Sequence, residues 1–202
     1  CAPFGGSTDC TSYCDDEGDA TGCNVADGWV MSAVVNTNRM FKENSAFNLA
    51  IGGWDVSSVT TMVRMFEESG TFNQPIGNWT VSSVTTMFRM FREAYTFNQP
   101  IGTWIVSSVT DMWLMFSGAT AFNQPIGDWD VSSVVDTAYM FQNATVFNQD
   151  IGGWNTTNVI QMQGMFYGAT AFDQDLSRWN LSSVGYIDNM FVGAPRMTAC
   201  LH

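Results

Sequence analysis

The sequence predicts a solenoid of the α/β type, in which each of seven 25-residue coils holds short parallel strands and one short helix. Three columns of residues carry that prediction. Met-Phe recurs at Met40-Phe41, Met65-Phe66, Met90-Phe91, Met115-Phe116, Met140-Phe141, Met165-Phe166 and Met190-Phe191. Tryptophan keeps the same beat at Trp29, Trp54, Trp79, Trp104, Trp129, Trp154 and Trp179, and phenylalanine at Phe47, Phe72, Phe97, Phe122, Phe147 and Phe172. One coil cannot hide its own Trp, Phe, Met and Val. Stacked coils can, and each buried side chain of this kind contributes about 1.5–3 kcal/mol.

Within the coil that starts at Trp79, Trp79-Thr80-Val81 alternates apolar and polar as a short extended piece does. Val84, Met87, Met90, Phe91 and Ala94 then fall three and four apart, which predicts a helix of two or three turns with Ser83 as its N-cap. Asp111 after Ser108 and Asp136 after Ser133 resemble a capping box with Asp in the place of Glu. Phe97 to Ile101 is the second extended piece, with strands centred on Gln-x-Ile and Trp-x-Val as the competing ladder. Pro75, Pro100 and Pro125 cannot donate to such a ladder, which must skip or break there. Gly52, Gly77, Gly102, Gly127 and Gly152 turn the chain back towards Trp. On the predicted helices, Arg39–Glu43, Arg64–Glu68 and Arg89–Glu93 are i, i+4 pairs.

The flanks differ from the coils. Residues 1–28 read as a disulfide-rich N-terminal cap, residues 29–194 as the seven repeats and residues 195–202 as a short C-terminal cap. Cys1, Cys10, Cys14, Cys23 and Cys200 all lie outside the repeats. That usage predicts disulfides in a secreted protein, with the connectivity left open and one cysteine of the five unpaired or bonded to another chain. A loose metal site at Cys10, Cys14 and Cys23, and a lipid on Cys1, are the competing readings. Asp15, Asp16, Glu17 and Asp19 are weak calcium candidates, since carboxylates are hard oxygen ligands, but they lack EF-hand spacing. No other cofactor is expected.

Seven basic residues against nineteen acidic ones give a charge of −12. This argues against nucleic acid and against an electrostatic hold on anionic membranes. No apolar run reaches the length of a membrane span. His202 is the only histidine, so a Ser-His-Asp or Cys-His centre is not expected. Asp128/Asp130 and Asp173/Asp175 are acid pairs read as solvated surface, and the chain is read as non-catalytic. Asn78, Asn143, Asn155 and Asn180 open N-glycosylation sequons. Trp113 and Tyr167 occupy variable positions and are the candidate anchors for a partner.

The combined motif, Trp54-Asp55-Val56-Ser57-Ser58-Val59-Thr60-Thr61-Met62, then Met65-Phe66, then Phe72-Asn73-Gln74-Pro75-Ile76-Gly77, resembles the BspA-like leucine-rich-repeat surface proteins over residues 29 to about 194. The resemblance implies a leucine-rich-repeat-like, right-handed solenoid, secreted or held at the cell surface, with adhesion and protein binding as its role. It assigns the motif residues to structure and transfers no functional residue. The expected function is therefore an extracellular recognition or adhesion scaffold for protein or glycan partners. The alternative is a filament subunit that self-associates end to end. A mineral- or ice-binding face is a poor third, because the column Thr60, Thr85, Thr110 decays to Val135, Ile160 and Gly185.

Overall fold

The computed structural model describes residues 31–195. The cap cysteines, the acidic run Asp15 to Asp19, Trp29 and His202 lie outside them. The coils stack in a single pile with their apolar columns inside. Phe91 and Phe97 of one coil lie ring on ring at 4.0 Å. Each then stacks on its counterpart in the next coil, Phe91 on Phe116 at 5.6 Å and Phe97 on Phe122 at 6.0 Å. The indoles of Trp54 and Trp79 are parallel at 6.5 Å.

The secondary structure inside each coil corrects the expectation. Among the described residues there is no helix and no extended strand. The only ladder is a column of isolated parallel bridges through Asn36, Thr61, Thr86, Asp111, Asp136, Gln161 and Tyr186. It runs through the stretch predicted to be helical, not through Gln-x-Ile or Trp-x-Val. The coil is a chain of β-turns. In the third coil, carbonyls accept from the amide three residues on at Ile76–Trp79, Val81–Val84, Met87–Met90, Arg89–Arg92, Phe91–Ala94 and Ala94–Phe97. Except at Arg89–Arg92, the first and last residues of these turns are buried, so apolar residues recur every three positions, and that spacing mimics a helical stripe.

A helix is ruled out by where the remaining amides point. The N–H groups of Met87, Arg89, Phe91 and Glu93 donate to Asp111, Trp113, Met115 and Ser117 of the next coil at 2.7–3.0 Å. Alternate amides thus close turns within a coil and bond between coils. This alternation places Arg89 and Glu93 at φ of +54° and +57°. Equivalent residues in later coils include Gly118, Gly164 and Gly168, which take that conformation without a Cβ penalty.

Around Phe-Asn-Gln-Pro, side chains bond the coils together in place of a strand ladder. Asn73 Oδ1 accepts from the Asn98 amide at 3.0 Å and from Gln99 Nε2 at 2.9 Å, while the Asn73 carbonyl also accepts from Gln99. The pattern repeats from Asn48 to Asp173. Proline is tolerated beside this ladder because no bond between coils needs its missing N–H. The Trp column is also tied across coils, since Trp79 Nε1 donates to the Ile51 carbonyl at 3.1 Å and Trp104 to that of Ile76 at 3.2 Å.

The glycine after each Ile sits in the expected turn before Trp, and close approach of the next coil also excludes a Cβ there. A Cβ on Gly102 would lie 2.3 Å from the Pro125 carbonyl oxygen of the next coil. Serine enters this column at Ser177, in the last described coil. Gly153 is different: a Cβ there meets nothing within 4 Å. Gly102→Ala is expected to destabilise by about 3 kcal/mol, because backbone must shift against backbone, and Gly153→Ala to leave the melting temperature nearly unchanged. Thermal denaturation of the two variants checks this, and equal effects would contradict the close approach.

Candidate partner-binding face

Three neighbouring columns build the most differentiated surface. The first holds Asn38, Val63, Phe88, Trp113 and Ala138; the second holds Arg39, Arg64, Arg89, Leu114 and Tyr139; the third holds Lys42, Glu67, Arg92, Ser117, Gln142 and Tyr167. The left-handed backbone of the second column is what aims Arg64 and Arg89 along the stack, φ being +56° and +54°. Arg64 lies 5.4 Å from the Phe88 ring centre. Arg89 lies 5.1 Å from Phe88 and 4.8 Å from Trp113. Phe88 and Trp113 are themselves 4.8 Å apart. The result is an interleaved ladder of guanidiniums and rings over coils two to four. Such contacts contribute about 0.5–2 kcal/mol each, more when desolvated.

Beneath the ladder sits Glu67, whose side chain is only 2% exposed. Arg92 binds it at 3.3 Å and Glu68 at 2.8 Å, and it also pairs with Glu93. Arg64 and Arg89 stand further off, each 3.6 Å from Glu67. None of the expected i, i+4 pairs forms, because no helix brings those residues together. The charges instead gather, both within a coil and across coils, around one buried carboxylate. Burial, with the Arg64 charge beside it, holds the Arg89 pKa below the ordinary guanidinium value. Burial also opposes the charge on Arg92, but Glu93, Glu68 and Glu67 outweigh it and raise that pKa.

Trp113 is therefore half-buried and held within this network. Tyr167, 39% exposed, lies in the Glu67 column three coils beyond Arg92 and makes no ring contact among the described residues. The structure thus does not bring the two candidate anchors together. Phe88, Arg64, Arg89 and Glu67 were not singled out from sequence as one site. Their signal was the change down one column from Val63 to Phe88 to Trp113, and the sign alternation Lys42, Glu67, Arg92 down another.

The predicted capping boxes are also corrected. Asp111 and Asp136 cap no helix; their carboxylates accept from the amides of Trp113 at 2.9 Å and Ala138 at 2.8 Å. Asn36 makes the same bond to Asn38 at 2.8 Å. Ser83 caps nothing either, and donates to the Ser57 carbonyl of the previous coil. Burial raises the pKa of Asp111. It raises that of Asp136 as well, with Asp111 adding repulsion.

A second surface feature is a shallow recess of about 320 Å³ lined by Gly127, Asp128, Asp150, Gly152, Gly153, Asp175 and Arg178. Asp130 and Asp173, paired with these acids in the sequence reading, do not line it. Asp150 and Asp175 are turned onto the amides of Gly152 and Ser177, and the Ser177 amide lowers the Asp175 pKa. Among the described residues no three acids, cysteines or histidines come together as metal ligands. The sequon residues Asn78, Asn143, Asn155 and Asn180 are all exposed. Asn155 and Asn180 have their side-chain oxygens occupied by the amides of Thr157 and Ser182.

The sequence matches the family described as "Mycoplasma protein of unknown function, DUF285" over residues 11–118 and again over residues 100–201. The chain belongs to this family. The two overlapping matches agree with a repeat protein and leave the narrower leucine-rich-repeat resemblance at that coarser level. No curated protein matches the chain, and no solved structure does. No helix among the described residues is long and apolar enough to cross a membrane.

Two measurements probe this face. Glu67→Gln leaves three guanidiniums without their shared carboxylate and is expected to cost about 3–5 kcal/mol, as breaking a buried ion cluster does; urea denaturation reads it. For Asp111 and Asp136, the folded pKa lies above the unfolded value of 3.8. Stability is therefore lost as pH rises through that interval, and the loss is complete at neutral pH. Asp111→Asn and Asp136→Asn, which keep the amide bond, are expected to melt higher than the parent at pH 7. That advantage should vanish once the pH falls below the ordinary carboxylate range.

Proposed function

We propose that the chain is a non-catalytic recognition module that binds a protein or glycan partner through the face around Trp113, outside the cell or at its surface. The observation that carries this is the placement of Trp113. A large aromatic ring stands partly exposed in a variable column, fixed by Phe88 on one side and stacked against Arg89. Tryptophan and arginine are the residue types that dominate binding energy at interfaces, and a ring already fixed costs little entropy to engage. The resemblance to BspA-like surface proteins and the cysteine-rich flanks support the extracellular placement and the adhesive role.

End-to-end assembly is the second reading, and one observation favours it. In the last described coil the amides of Ile187, Asn189, Phe191 and Gly193 meet no acceptor among the described residues, although their counterparts in earlier coils bond the next coil. Tyr186, Ile187 and Val192 are exposed there. Amides so placed can take a further coil or a further chain as their partner. Sedimentation across a concentration series would show growing oligomers on this reading and a constant monomer against it.

The recognition reading is tested by presenting the full chain to immobilised matrix proteins and glycans. A ligand is expected whose binding falls at least about tenfold in Trp113→Ala, a loss of about 1.4 kcal/mol, with Trp113→Phe intermediate. No ligand on the array, or one indifferent to Trp113, would overturn this face as the site.

A further inference from the structure

This inference rests on the recognition reading above and concerns what the same face binds. The chain carries −12, and its seven cations are Arg39, Lys42, Arg64, Arg89, Arg92, Arg178 and Arg196. Three of them meet over Glu67. Arg92 has its donors engaged, on Glu67, Glu68 and Glu93. Arg64 and Arg89 do not. Their planes are taken up by Phe88 and Trp113, and among the described residues the only carboxylate within reach is Glu67 at 3.6 Å, too long for a hydrogen bond. The Nε atoms of both, and Oε2 of Glu67, are buried without a hydrogen-bond partner.

Two guanidiniums on adjacent coils thus share one negative charge that Arg92 already binds more closely. They repel each other, and stacking on the rings holds them together. The two side chains are 23% and 24% exposed, and an anion that meets their exposed edges gains charge-assisted bonds and relieves the repulsion. The surroundings point to the carrier of that anion. Over coils two to four the large apolar side chains that are exposed are Tyr95, bonded to Glu93, and Ile105. Beyond the partly exposed column Val63, Phe88 and Trp113 no broad apolar patch surrounds the arginines, and a polar surface around aromatic rings suits a sugar.

The geometry points to Arg64 and Arg89 as the receptor for an anionic group of an acidic polysaccharide, with a sugar ring against the exposed part of Trp113. Sulfate and carboxylate share the required chemistry, two or three oxygens on one centre. Retention of a chain this acidic on a polyanion demands a local site, since the net charge opposes it.

The full chain is passed over immobilised dextran sulfate, a polyuronate, neutral dextran and poly-glutamate. Retention is expected on dextran sulfate or the polyuronate, weakened by salt and absent on neutral dextran; which of the two retains it assigns the anion. Arg64→Gln and Arg89→Gln are each expected to weaken it at least about tenfold, and Arg178→Gln to leave it unchanged. Should both glutamine variants lose their native near-ultraviolet circular dichroism, the wild-type tryptophan emission decides, because Trp113 adjoins Arg89: a saturable change on adding dextran sulfate or the polyuronate supports the site, and none overturns it. No retention on either acidic sugar polymer overturns the inference. So does retention that ignores both arginines, and equal retention on poly-glutamate would transfer the site to acidic proteins. A neutral ligand that depends on Trp113 but not on the arginines would end the anion assignment and leave the recognition face standing.

Discussion

Everything in this molecule depends on how the backbone divides its amides. Along the turn-rich half of each coil one N–H closes a β-turn and the following one bonds the next coil. The first set bends the chain tightly enough to enclose a core within 25 residues. The second set fixes the register between coils, so that residue n rests against residue n+25. Once the register is fixed, identical side chains stack, and the rings of Phe and Trp and the thioethers of Met need only fit themselves. A net hydrogen bond contributes about 1 kcal/mol, but a slip in register would sacrifice the whole ladder and bury polar groups against rings.

The same division explains where the sequence was legible and where it misled. The columns of Trp79, Phe91, Phe97 and Met90 could be read directly, because among the described residues stacking repeats each of them six or seven times over. Gly77 and Gly102 could be read as turn residues, and they do lie inside the Ile76–Trp79 and Ile101–Trp104 turns; that the carbonyl of the next coil leaves no room for a Cβ there could not be read. The local backbone could not be read. Val81, Val84, Met87, Met90 and Ala94 are spaced as in a helix because the ends of β-turns also recur every three residues. Arg89 and Glu93 in left-handed conformation were invisible, since neither residue favours it. Only Gly118, Gly164 and Gly168 in later coils hinted that those columns prefer glycine. Glu67 looked like one more solvated acid, and its burial appears only when three arginines from two coils are placed around it.

The capping-box reading failed for a related reason. Asp111 and Asp136 bond the amide two residues on, as Asn36 does, so Asp, Asn and Thr serve alike at the bridge column. The geometry admits a short acceptor, charged or neutral, without requiring one: the Val63 amide bonds Asn38 instead of Thr61, and Gln161 and Tyr186 fill the same column. The acids there pay a desolvation cost that the neutral residues avoid, which is why the column is mostly neutral.

In an array of near-identical coils, chemistry can differ only where the residues depart from the repeat. The departures here are not scattered. Arginine occupies the left-handed column in the first three coils, where glycine or asparagine would be less strained, and Phe88 and Trp113 enter the neighbouring column at the same height. Stability alone does not ask for this, because later coils fold with Ala138, Gln163, Gly164 and Asn189 in those places. A strained backbone and a buried carboxylate shared by three cations are each unfavourable or neutral for folding when taken singly, and the tilted ring pair beside them offsets only part of that. Their coincidence on one face of coils two to four follows if that face is kept for a ligand, and the plainer coils beyond it serve to hold it rigid.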